Sequence, residues 1–111
     1  MSEQTVKAIT ESGRVFEIPA VFVRDVYAVT ARYEFFWEGE PEMSPLSGYE
    51  VCHVPTGCTM FVFRSKRGAT GMCKWLAKNL SNYDPANPEH DTRRVAMMRE
   101  IENVACSFGG R

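Results

Sequence analysis

Four side chains near the middle of the chain, Cys52, His53, Cys58 and Cys73, are of the types that ligate zinc or carry nucleophilic catalysis. Their spacing argues for neither. Zinc-binding turns carry paired ligands two to four residues apart, whereas the turn between Cys52 and Cys58 is Pro55-Thr56-Gly57, which supplies none. A thiol–imidazole pair needs both groups within hydrogen-bond reach, yet Cys52 and His53 are successive residues of an expected strand and so face opposite ways. His90 falls at an expected helix start, where capping or solvent contact is its ordinary role. No glycine-rich phosphate loop, nucleophile elbow or metal-binding helix motif occurs. The expectation is a chain without catalysis, metal, other cofactor or small-molecule substrate. Its four cysteines are expected as reduced, buried thiols, because a chain of this size with its own core and no leader is not of the disulfide-dense kind.

Charge offers two other chemistries. Arg64, Lys66, Arg67, Lys74 and Lys78 surround Trp75, and no acid occurs from Arg64 to Leu80. Such a face grips a phosphate backbone while an aromatic ring stacks a base. Glu34, Glu38, Glu40, Glu42 and Glu50 form the opposite pole, with no base from Glu34 to Glu50 and with Phe35, Phe36 and Trp37 interleaved. That segment suits a basic groove on a protein, aromatics anchoring and carboxylates steering. The net charge of −1 favours docking on a protein complex through Phe35, Trp37, Glu38, Glu40 and Glu42. The alternative is nucleic-acid binding through Arg64, Lys66, Arg67, Lys74, Trp75 and Lys78.

The elements that must position these residues centre on a hairpin. Gly48 to Val54 and Cys58 to Phe63 read as strands joined by Pro55-Thr56-Gly57, a three-residue turn with Gly57 in the left-handed region. This register sets Val54 opposite Cys58, His53 opposite Thr59 and Cys52 opposite Met60. Ser65 then caps a helix whose buried stripe is Ala69, Met72, Cys73, Leu76, Ala77 and Leu80. Upstream, Thr5 to Thr10 and Arg14 to Ile18 predict two short strands across a turn at residues 11–13. Residues 19–37 match both helical and alternating periods. The reading is a helix from Pro19 to Ala28 and a strand from Val29 to Trp37, with one long helix as the alternative. Glu38 to Ser47 is expected as a mobile acidic loop. Asn87 and Pro88 open a last helix, with Val95, Met98, Ile101 and Ala105 buried and Met97 and Val104 beside them.

Together these predict a single α+β domain over residues 1–106, a small antiparallel sheet with a central β-hairpin packed by two to three helices, and a flexible tail over 107–111. At 111 residues and 44% hydrophobic the chain can bury one modest core. The absence of a leader or a long apolar run predicts a cytoplasmic protein without a membrane partner. Val51-Cys52-His53-Val54-Pro55-Thr56-Gly57, followed after one strand by Ser65-Lys66-Arg67 and a helix of small residues, resembles the hairpin-helix core of short orphan accessory proteins of bacteriophages and mobile elements. The resemblance spans residues 49–80 and implies a setting. Such proteins bind a host or phage macromolecule, among them defence or transcription machinery that they inhibit.

Overall fold

A computed structural model describes residues 5–9, 15–36 and 42–110. The chain is an α+β fold in which five strands precede three helices: β1 (Thr5–Ile9), β2 (Val15–Arg24), β3 (Tyr27–Phe36), β4 (Glu42–His53), β5 (Cys58–Phe63), α1 (Lys66–Asn79), α2 (Pro88–Ala96) and α3 (Met98–Ser107). The strands form one antiparallel sheet in chain order.

The N-terminal half departs most from expectation. Pro19 does not open a helix, because β2 runs through it to Arg24, turns at Asp25 and Val26, and returns as β3. Neither the helix over Pro19 to Ala28 nor the single long helix forms. The reason is where proline falls. Val15 to Pro19 pair with β1, whereas Ala20 to Arg24 pair with β3. Pro19 therefore sits where β2 exchanges one neighbour for the other, a place where a missing N–H interrupts neither ladder. Asp25 takes the left-handed conformation (φ 57°) that the tight turn requires.

The same exchange bends the sheet. Val6 of β1 clusters with Ala28 of β3 and Cys52 of β4, with Ala20 against them. Strands lie about 4.8 Å apart, so in a flat sheet β1 and β4 would be about 14 Å apart. That Val6 shares one cluster with residues of β3 and β4 points to a curl of the β1 end over one face. The other face carries the main core, where Tyr27, Val29, Val51 and Phe63 meet Ala69, Met72, Cys73, Leu76 and Leu80.

Two corrections concern β4. It begins at Glu42, so most of the expected acidic loop is strand, with Pro45 paired to Tyr33. In the β4–β5 hairpin, Tyr49, Glu50 and Val51 pair with Phe63, Val62 and Phe61 as the expected register requires, but His53 pairs with Cys58 and Cys52 with Thr59. A bulge absorbs the one-residue slip. The turn thus holds four residues, Val54 to Gly57, with Gly57 at φ 69° as expected.

The helices follow their caps. Ser65 Oγ accepts from the Gly68 N–H at 3.1 Å, and Asn87 Oδ1 from the Glu89 N–H at 3.0 Å ahead of Pro88. The last helix breaks at Met97, which resets its phase. Ile101 and Ala105 are buried, but Val95 and Met98, expected inside, are exposed. The tail expected over 107–111 is largely structure. Ser107 belongs to α3, Gly109 (φ 81°) follows it, and the Gly109 and Gly110 N–H groups donate back to Cys106 and Ala105 carbonyls, a Schellman cap. Gly110 is buried and bridges to Phe63; Arg111 lies outside the described residues.

All four cysteines are free, Cys52 and Cys73 buried, Cys58 and Cys106 exposed against expectation. Burial pushes the Cys73 thiol up to about 11 and raises Cys52 as well. A thiol reagent at neutral pH should label two cysteines quickly and the other two only on unfolding. Because the folded Cys73 holds its proton more tightly than the unfolded chain does, its contribution to stability is full below the ordinary thiol range and is lost as pH rises through about 11. Alkaline melting curves should record that loss, and Cys73→Ala should flatten it; an unchanged slope counts against the assignment.

A candidate polyanion-binding face

The period of α1 separates its residues cleanly. With the apolar stripe fixed against β3 and β4, Arg67, Lys74 and Lys78 fall at spacings of seven and four, which return to nearly one line along the helix. That line spans about 16 Å of axis. All three are exposed, as are Arg64 and Lys66 at the helix entry. Among the described residues the one ion pair is Arg32 with Glu50, Nε to Oε1 3.9 Å, so none of the five bases has a carboxylate partner there.

The sheet extends the face. Phe22 of β2 lies under two cations, with Lys74 Nζ 5.6 Å and the Arg24 guanidinium carbon 5.5 Å from its ring centre. Cations over an aromatic face are held by its quadrupole at little desolvation cost. Arg24 was missed from sequence because it fell inside an expected helix; read on a strand two residues after Phe22, it shares that residue's side of the sheet. Between Arg67 and Lys74 the surface dips into a cleft of about 750 Å³ lined by Ser65, Lys66, Thr70, Gly71 and Phe108 among others. Trp75 is drawn the other way. It is half-buried and packs against the main core, so part of its ring is withdrawn from stacking.

The acidic-aromatic set is divided. Phe35 and Glu42 lie on paired strands, β3 and β4, where Phe35 pairs with Met43 and Phe36 with Glu42. Trp37, Glu38 and Glu40 lie outside the described residues.

Cys52 and His53 face opposite sides of β4, as the sequence requires. Cys52 sits in the curled face, its thiol 3.8 Å from Thr30 Oγ1. His53 is buried on the helix side, Nε2 2.7 Å from the Tyr83 carbonyl and Nδ1 2.8 Å from Thr56 Oγ1. A carbonyl only accepts, so Nε2 carries a proton and donates to it, while Nδ1 is joined to the Thr56 hydroxyl. Burial, and after it the charge of Asp25, raises the Tyr27 phenol, which donates to the Leu80 carbonyl at 2.6 Å. These groups join elements together. Among the described residues no three His, Cys, Asp or Glu side chains gather as a metal site would need, and no helix is long and apolar enough to cross a membrane. Searches against protein-family models, curated proteins and solved structures find no match.

Proposed function

We propose that this chain is a non-enzymatic accessory module that binds a macromolecule of a host cell, and that the basic face of α1 grips a polyanionic backbone, nucleic acid first among the candidates. One observation carries the reading: Arg67, Lys74 and Lys78 stand in line, with Arg24 beside them and no carboxylate partner among the described residues. Cations left unpaired on a rigid helix lose little on meeting phosphate and release counterions when they do. The contact is to backbone rather than to base edges, so it discriminates poorly between sequences.

Titration against single- and double-stranded DNA and RNA at two salt concentrations tests this. Lys74→Glu with Lys78→Glu should weaken binding roughly tenfold or more and reduce the salt slope by about two. Absence of binding to all four polymers at low salt would end the proposal. A second reading, docking of a protein complex through Phe35, Trp37, Glu38, Glu40 and Glu42, draws on the pairing of Phe36 with Glu42, which brackets that segment at the end of the β3–β4 pair. Trp37→Ala should then weaken capture of the complex far more than Lys7→Ala.

A further inference from the structure

An irregular step in the β3–β4 ladder builds a second basic feature. Ala31 pairs with Tyr49 and Tyr33 with Pro45, so Arg32 alone faces Leu46, Ser47 and Gly48. Bulges of this kind re-aim a side chain out of the regular pleat. Arg32 lines a cleft of about 520 Å³ together with Ser47, Gly48, Phe63, Arg64 and Gly109. Gly48 is required there. Its φ is 104°, and a Cβ would come within 2.9 Å of the Phe63 carbonyl oxygen and 3.1 Å of Arg32 Cδ.

The Arg32 guanidinium is incompletely satisfied. Its Nε is buried without a hydrogen-bond partner among the described residues. Glu50 Oε1 stands 3.9 Å away, beyond bonding distance, while Oε2 accepts from Thr59 Oγ1 at 3.1 Å. The Nε is closed to solvent, but the side chain as a whole is 37% exposed and its terminal nitrogens make no hydrogen bond among the described residues, so they are open to an anion in the cleft. Arg32 of β3 and Arg64, just past β5, line one cavity, and among the described residues Glu50 is the one carboxylate paired with either, which leaves the cleft cationic. A carboxylate ligand fills one guanidinium fork, whereas a phosphate monoester has enough peripheral oxygens for two.

We propose that this cleft binds a phosphate monoester between Arg32 and Arg64. The site stands on its own geometry and needs no polymer. The group has two possible sources, the end of a nucleic-acid strand or a free phosphate compound, and one experiment separates them. Inorganic phosphate is titrated calorimetrically at constant ionic strength, alongside one oligonucleotide carrying either a 5′-phosphate or a 5′-hydroxyl. Arg64→Gln, an exposed change that spares the fold, and Arg32→Gln should each weaken phosphate binding on the order of tenfold or more, while Lys74→Glu with Lys78→Glu leaves it unchanged. Preference for the phosphorylated strand, lost in Arg64→Gln, assigns the strand end. Phosphate binding with no oligonucleotide binding assigns the free compound and removes the polyanion reading alone. Absence of saturable phosphate binding together with no end preference overturns the site, as does equal loss in the Lys74/Lys78 variant, which would mark a diffuse field.

Discussion

His53→Leu should lower the unfolding free energy by about 3 kcal/mol and the melting midpoint by on the order of 10 °C. The side chain is 3% exposed and packs edge-on against Tyr27 and Tyr83, with ring centres 6.2 and 5.5 Å away. Leucine fills much of that volume, so the loss is mainly polar: the Tyr83 carbonyl forfeits its donor and the Thr56 hydroxyl its ring partner. The position joins the β4–β5 turn to the segment that leaves α1, and two bonds from the β2–β3 turn and the start of β3 tie the same segment to the sheet. Tyr27 donates to the Leu80 carbonyl, and Asp25 Oδ2 accepts from the Asn82 N–H at 2.6 Å. Tyr27→Phe should therefore cost less than His53→Leu, since it breaks one tie and leaves the ring packing in place. Melting both variants checks the order. Equal midpoints for His53→Leu and the unaltered protein would show that the ring only fills space.

What could be read from the sequence divides by range. The hairpin, the Ser65 and Asn87–Pro88 caps and the α1 stripe were legible because each is decided within a few residues, by a turn type, a side-chain acceptor or a helical period. Pro19 misled because its tolerance depends on β2 changing partners there, a fact of topology that no local pattern carries. The double periodicity of residues 19–37 left that error uncorrected, although Asp25 alone was a turn signal. The slip at His53 and Cys58 is of the same kind: turn chemistry pointed to three residues, and the bulge at Met60 allowed four. At the C-terminus the reverse occurred. Gly109 beyond the last apolar residues was a local cap signal, read instead as fraying.

The candidate sites follow the same rule. The sequence grouped Arg64, Lys66, Arg67, Lys74 and Lys78 as one basic face, but their lack of carboxylate partners among the described residues is a three-dimensional fact. Arg24 joins them through Phe22, across a β–α contact that sequence spacing does not show. Arg32 is the extreme case, since nothing in Ala31-Arg32-Tyr33 announces a residue that faces three others.

Gly68→Ala should destabilise the protein by about 2 kcal/mol, although the same change favours a helix by up to about 1 kcal/mol. The sign turns on what the new methyl meets. At Gly68 a Cβ would come within 2.3 Å of the Phe108 carbonyl oxygen, which is backbone and cannot rotate away. At Gly71 the contact is 2.6 Å but to the Phe108 ring, a side chain 37% exposed that has room to move. Gly71→Ala should thus stay within about 1 kcal/mol of the unaltered chain. Relief at Gly68 requires the Phe108–Gly110 strap to lift, which breaks the Gly110 bridge to Phe63. Ending the chain at Ser107 removes the obstacle, so there Gly68→Ala should become stabilising. Denaturant unfolding of the four chains measures this, and an equal loss with and without the strap would refute the clash. The strap also supplies Gly109 to the Arg32–Arg64 cleft and Phe108 to the one beneath Lys74. Gly68→Ala in the full chain should therefore weaken phosphate binding as well, which couples the end of α3 to both basic clefts through one glycine.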